Sequence, residues 1–317
     1  MLKCFNAITN HSIAFPAFNK RKFIEYVAKD DLKKYLKDKK NVSAVIHMGA
    51  ISATTESNFN RLLQSNIRFS QALWHWCAEN KVPFIYASSA ATYGNGSVGY
   101  GDNESELDKL SPLNAYGYSK HFFDRWVQLE LSKNQPTPPQ WCGLKFFNVY
   151  GPNEYHKGRM ASVAFHHYHQ FMEANLVKLF GEYDGYKEGE QKRDFVSVED
   201  VVKVNLFFHD HPKKSGIFNL GTGRAQPFND VAKSVINSLR KIHGHAEMSL
   251  SDLVDERLLE YVPFPEALKG KYQSFTQADL TNLRSAGYQE DFLTVEQGVS
   301  KYMTWLSENS DFLAQPM

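Results

Sequence analysis

A chain of 317 residues with 42% apolar and 22% charged residues can bury a large core, in one elaborate domain or two intimate ones. Its net charge of +1 leaves no electrostatic footprint for nucleic acid or a membrane surface, and no apolar run reaches the roughly 18 residues of a membrane helix. Cys4, Cys77 and Cys142 are widely spaced, contain no CxxC pair and read as free thiols of a reducing compartment. The opening residues, interrupted by Asn6, Asn10, His11, Pro16 and Asn19, hold no secretory apolar stretch, so the expected location is cytoplasmic.

Along the chain, residues 2–8 suit a short strand, and no glycine occurs before Gly49. Over 19–40, Phe23, Ile24, Tyr26, Val27, Leu32, Tyr35 and Leu36 recur at helical spacing, giving a helix with a solvated basic face on which Lys29 could meet a phosphate. A short apolar strand at 42–47 runs into Met48-Gly49-Ala50-Ile51-Ser52, small residues that let a ligand approach the backbone. A helix over 59–80 comes next, with Asn66 inside it. The apolar run 84–89 predicts a buried strand that delivers Ser88 and Ser89 to its carboxyl end. Residues 94–108 read as a loop, and 112–131 as a helix.

Tyr116 and Lys120 stand at i and i+4 of that helix, so they share one face. An ammonium beside a phenol favours the phenolate and lowers its pKa from about 10 toward neutrality. Such a tyrosine exchanges a proton with a substrate hydroxyl, and a nearby Ser89 hydroxyl shares the hydrogen bond. That is the chemistry of alcohol-to-ketone oxidation by a nicotinamide.

The remaining pattern predicts strands at 143–149, 177–180, 195–198 and 259–262, and a strand followed by a glycine turn over 217–223. Helices are predicted at 162–174, 198–209, 228–243, 278–286 and 294–307, with a polar loop at 183–191 and a variable segment at 245–257. Alternating strands and helices predict an α/β fold with a doubly wound, mostly parallel sheet, whose ligands sit at the carboxyl ends of strands. Ser52, Ser89 and Asn148 all fall at such ends.

Several blocks stand in order along the chain: Tyr86 to Gly94 with Tyr116 and Lys120, Phe146 to Pro152, His156-Lys157-Gly158, Met160 to His166, Lys192 to Val196, Phe218 to Arg224, Lys269 to Gln273, and Phe275 to Arg284. From about residue 42 to 306 they resemble the ADP-L-glycero-D-manno-heptose 6-epimerase family of the extended short-chain dehydrogenase/reductase superfamily. The resemblance implies a Rossmann-type domain over 1–152, to which 194–224 returns, and a smaller α/β substrate domain formed mainly by 153–193 and 225–317. It implies Tyr116 as one acid/base with Ser89 and Lys120 as partners, and Lys157 as a second base. Inverting a carbon by oxidation and re-reduction gives each face its own proton acceptor, which accounts for two bases.

The same resemblance implies cofactor contacts from Met48, Gly49, Ala50, Ile51, Ser52, Asn66, Lys120, Val149 and, less directly, Lys29. It implies substrate contacts from Ser89, Asn148, His166, Phe180, Gly181, Glu182, Tyr183, Arg193 and Tyr272. The cofactor would be NADP, with NAD possible, the substrate an ADP-sugar, the product a heptose of the lipopolysaccharide inner core, and the assembly a homo-oligomer. A guanidinium fork at Arg193 suits a diphosphate. The family has an acidic residue where Met48 stands.

Plainer readings compete at several positions. Tyr116 and Lys120 could be a surface pair, Lys157 a solvated loop lysine, Asn66 an ordinary polar helix residue, and Arg193 an ion-pair partner of Asp194 or Glu199. His166, among Phe165, His167, Tyr168 and His169, suggests a metal, but adjacent histidines on a helix diverge and no carboxylate stands at ligand spacing, so none is expected.

Family members begin with a strand, a glycine-rich turn and a helix whose N-terminus receives the pyrophosphate. Here residues 15–32 align with the segment just after the second strand, and 1–8 with that strand, so the first strand and glycine-rich turn are expected to be missing. A misplaced start or fragment would explain this, as would a short form that has lost turnover. The alternatives to heptose epimerisation are another nucleotide-sugar 4-epimerase or 4,6-dehydratase, and a non-catalytic sugar-nucleotide-binding remnant. A dehydratase would carry an acidic pair after its catalytic strand, where Ala90-Ala91 stand.

Overall fold

The computed structural model describes residues 27–37, 41–270 and 272–309. The expected strand at 2–8, the start of the 19–40 helix with Tyr26, and Cys4 lie outside these residues. What remains of that helix is a 3-10 turn at Lys29–Asp31 and α1 (Leu32–Lys37).

Four strands, β1 (Val45–His47), β2 (Phe84–Ser89), β3 (Trp141–Phe146) and a later one, build the main sheet. Between β1 and β2 run α2 (Phe59–Leu62), a π-helical stretch at Leu63–Arg68 and α3 (Phe69–Asn80). Between β2 and β3 lies α4 (Ala115–Ser132), started by the Asn114 side chain, which accepts from the Gly117 amide at 2.9 Å.

The strand expected at 143–149 is two. After β3 the chain breaks at Phe147, whose amide bonds Leu220, and β4 (Asn148–Tyr150) leaves the main sheet. Beyond β4 come α5 (Val163–Ala174), β5 (Val177–Phe180), β6 (Lys192–Ser197), α6 (Val198–Asp210), β7 (Gly216–Leu220) and β8 (Ala225–Pro227). The chain closes with α7 (Phe228–Ile242), α8 (Leu250–Asp255), β9 (Leu259–Val262), α9 (Thr281–Ser285) and α10 (Val295–Glu308).

The main sheet has the order β1-β2-β3-β7 and is parallel throughout. Its strands are buried on both faces, and the pleat assigns residues alternately to the two sides. Phe84, Tyr86, Trp141 and Ile217 join Leu73, Trp74, Phe123 and Val127 of α3 and α4. Ile85, Cys142, Leu144, Phe218 and Leu220 join Val201, Val204 and Phe208 of α6. Helices therefore cover both faces, as the alternating pattern predicts.

Beyond it, β4-β6-β8 form a second sheet and β5 pairs with β9. Helices α5, α7 and α10 close a further core around Tyr168, Val235, Leu239, Met303 and Leu306.

Three expectations are corrected here. The strand at 195–198 begins at Lys192, because residues 192–194 pair antiparallel with β8. The variable segment contains α8, opened by a capping box between Ser249 and Asp252. The helix at 278–286 starts only at Thr281, because the Ala278 amide donates to Asp194 and the Asp279 carbonyl accepts from Asn219. Among the described residues no helix is long and apolar enough to cross a membrane.

Candidate active site

Ser89 closes β2 and leads into the 3-10 turn at Ala90–Tyr93. Helix α4 comes in close enough that a Cβ on Gly117 would stand 2.8 Å from the Ala91 carbonyl oxygen and 2.9 Å from Pro112. Only glycine permits that approach, and it brings the neighbouring Tyr116 to Ser89. The Ser89 hydroxyl lies close to the Tyr116 phenol and moderates a proton affinity that burial raises.

This reverses one expectation. Lys120 lies one turn further on, 6% exposed, with its ammonium donating to the Ala87 carbonyl at 2.8 Å. Burial pushes Lys120 down to about 8, opposed by Asp124 one turn below. The phenol is therefore raised by desolvation in this structure rather than lowered by Lys120.

Behind these residues lies a buried polar network that sequence reasoning missed. Lys145 and Asp124, both fully buried, pair at 2.9 Å. Ser88 and Tyr86 donate to the same carboxylate at 2.6 and 3.1 Å. Lys145 also donates to Thr92 Oγ1 at 2.8 Å, and Thr92 donates to the Ser89 carbonyl at 2.8 Å. The network ties both sides of the Ser89 backbone to the core. Two signals were present: Asp124 comes four residues after Lys120, and a lysine inside an apolar strand calls for a partner.

Met48 to Ser52 form the loop leaving β1, and Met48 is exposed. Asn66 is buried rather than on the surface, turned inward on the π-helical stretch. Its Oδ1 accepts from the Ile51 amide at 2.9 Å, and its Nδ2 donates to the Ile51 carbonyl at 3.0 Å and to Ser119 Oγ at 2.9 Å. Both amide donors are thus spent on the protein, so Asn66 shapes the loop and joins it to α4. Lys29 donates to Ser65 at 2.9 Å and lies over Phe69, beside the same stretch. Burial holds His47, at the end of β1, neutral at about 3.

Asn148 is exposed on β4, and Val149, partly exposed, borders the apolar cluster of α6. Lys157 is exposed in the 3-10 turn Tyr155–Met160, and His166 is partly exposed on α5. A second group of predicted residues converges through aromatic contacts. Tyr183 stacks on Phe264 with centroids 3.9 Å apart and planes 9° apart, Phe180 meets Phe264 at 5.4 Å, and Phe264 meets Tyr272 at 5.3 Å. Gly181 is buried, its amide bonded to Val262, and Glu182 is exposed. Nothing in the sequence pointed to Phe264, which reaches this group through the β5–β9 pairing.

Arg193 is 5% exposed, and its guanidinium carbon lies 4.6 Å from the Tyr272 ring and 5.7 Å from Phe228. The guanidinium donates to the Lys192 carbonyl at 3.0 Å. The competing reading, an ion pair of Arg193 with Asp194 or Glu199, is not met among the described residues. Asp194 instead accepts from the amides of Thr222, Gly223 and Ala278, and Glu199 pairs with Lys301 at 3.1 Å. A buried guanidinium facing rings and no carboxylate keeps donors for an anion.

The nicotinamide end of a dinucleotide fits the donor set in place. A phenol, a serine hydroxyl and a lysine ammonium suit hydroxyl and carboxamide groups, next to a loop of small residues at a strand's carboxyl end. Among the described residues, no glycine-rich turn leads from a strand into a helix ahead of β1.

The fold is shared with solved structures. Over 87% of this chain and 76% of that one, ADP-L-glycero-D-manno-heptose-6-epimerase of Helicobacter pylori is 28% identical, with a TM-score of 0.68. The dTDP-glucose 4,6-dehydratase of Bacillus anthracis, solved with NAD, is 17% identical over 97% of this chain and 88% of that one, at a TM-score of 0.71. The UDP-glucose 4-epimerase of Thermus thermophilus, also solved with NAD, is 19% identical over 87% and 81%, at 0.65. The last two show the shared fold alone. Residues 6–221, about two thirds of the sequence, match the NAD dependent epimerase/dehydratase family, and the chain belongs to that family.

Proposed function

We propose that this chain epimerises a nucleotide sugar by transient oxidation, and specifically that it inverts C6″ of ADP-glycero-manno-heptose for the lipopolysaccharide inner core. The observation that carries this reading is that two separate proton-handling groups are available: Tyr116, close to Ser89, and Lys157, exposed in the loop that leaves β4. A simple dehydrogenase has use for one such group, whereas an inversion uses two. Ala90-Ala91 after Ser89, and the Helicobacter pylori relative, favour this reading over a 4,6-dehydratase.

The geometry suggests a role for each group. A bound nicotinamide, proposed as NADP, supplies the reversible hydride acceptor. Tyr116 takes or returns the hydroxyl proton on one face, with Ser89 holding the phenol oxygen and Lys120 providing positive charge. Lys157 serves the other face. Arg193 and Tyr272 hold the diphosphate, the Phe180 to Tyr183 segment the nucleotide, and Asn148 and His166 the sugar. We further propose that 1–152 with 194–224 form the cofactor domain, and that 153–193 and 225–317 mainly form the substrate domain.

Tyr116→Phe and Lys157→Met test this, each with an expected loss of at least about a hundredfold in epimerisation, the scale of general acid–base catalysis. An unchanged rate in Lys157→Met would remove the second base from the scheme. Absence of epimerisation in the wild-type chain, with nucleotide sugar still bound, would favour the binding-only reading.

A further inference from the structure

We propose that Glu154 is the positioning residue of the Lys157 loop, a buried carboxylate that clasps the two ends of the loop and so sets where the Lys157 ammonium reaches. The proposal rests on the reading of Lys157 as the second base. Glu154 is 3% exposed, and among the described residues no Lys or Arg pairs with it. Its Oε2 accepts from the Ser162 amide at 2.7 Å, and its Oε1 from the Ser162 hydroxyl at 2.7 Å and, more loosely, the Gly151 amide at 3.4 Å.

Gly151 is the residue after β4, and Ser162 caps α5, accepting from the Phe165 amide at 3.2 Å. One side chain thus joins the strand that carries Asn148 to the helix that carries His166. Lys157 stands between them, and its amide donates to the Glu154 carbonyl at 2.9 Å. The path out of β4 has little freedom. Gly151 has φ +139°, and a Cβ there would lie 2.6 Å from Val198 Cγ1.

Burying a carboxylate without a cation is costly. A carboxylate is also acceptor-only, so it takes all three donors, whereas a carboxamide would turn an N–H toward one of them. An apolar residue would fill the volume but leave the Ser162 amide and hydroxyl unbonded. The buried Tyr302 phenol of α10 lies near the same carboxylate without a hydrogen bond to it.

Two measurements on Glu154→Gln and Ser162→Ala test the clasp. Backbone amide exchange across residues 151–162, which needs neither cofactor nor substrate, should quicken by about tenfold or more while α4 keeps its protection. Unchanged exchange would overturn the proposal. Single-turnover oxidation is then measured from each C6″ epimer separately, because each epimer gives its proton to a different group. One epimer should slow by about tenfold to a hundredfold, the scale of a misplaced catalytic group, and the other should change by less than about twofold. Lys157→Met should slow that same epimer. Equal slowing of both epimers by Glu154→Gln would mark a general structural loss and overturn the positioning role. If Lys157→Met spares both epimers, the two-base reading fails, and amide exchange still decides the clasp. Should Glu154→Gln fail to fold, Ser162→Ala carries both measurements.

Discussion

Two strand residues, Lys145 and Arg193, are cations buried to similar depth, 0% and 5% exposed, yet their surroundings differ in kind. Lys145 has Asp124 at 2.9 Å and Thr92 at 2.8 Å, inside a network that supports the Ser89 backbone. Arg193 has the faces of Tyr272 and Phe228 and no carboxylate among the described residues. Burial alone does not distinguish a structural cation from a ligand-binding one; the partner does. Where the protein supplies the anion, the charge is a strut. Where it supplies rings and a single carbonyl but no carboxylate, donors remain for an anion from solution.

Breaking each cation in turn gives opposite signatures. Lys145→Met strands the Asp124 carboxylate and should cost about 3–5 kcal/mol in denaturant unfolding, with the double change Asp124→Asn, Lys145→Met recovering much of it. If Lys145→Met were neutral, the network would not be the strut described. Arg193→Met should keep or raise the melting temperature, since it replaces an uncompensated buried charge. It should weaken binding of a nucleoside diphosphate by about 1.5–3 kcal/mol, roughly 10- to 150-fold by calorimetry. Large destabilisation with unchanged binding would place Arg193 among the struts.

Lys120 lies between the two cases, buried with a carbonyl partner and with Asp124 one turn away. Its folded pKa of about 8 lies below the usual 10.5. The stability cost of charging it is therefore absent above pH 10.5 and complete below about pH 8. Turnover that needs the ammonium should decline as pH rises through about 8, and Lys120→Arg should abolish that limb because a guanidinium stays charged. A wild-type rate flat from pH 7 to 9 would make Lys120 a strut.

Much of the scaffold was legible. The strand at 177–180 and the strand at 259–262 end where the pattern puts them, because apolar residues bounded by polar turns define them locally. The Tyr116–Lys120 pair needed only the helical period. Less legible were features set by pairing partners far along the chain. The run 143–149 looks continuous, yet it divides at Phe147 because β4 finds β6 rather than β7. Asn66 looks like an exposed helix residue, yet the π-helical stretch turns it onto Ile51.

By itself, the sequence determined which side chains can handle protons and charge, and that Tyr116 and Lys120 share a helix face, because such spacing depends on neighbours a turn away. Only the tertiary structure decided their electrostatics. Tyr116 is raised by burial, Asp194 goes to the 222–223 turn and Ala278 instead of to Arg193, and Lys145 meets Asp124 across 21 positions of sequence. Desolvation and partner choice are sums over everything packed around a group, and no local stretch of sequence contains that sum.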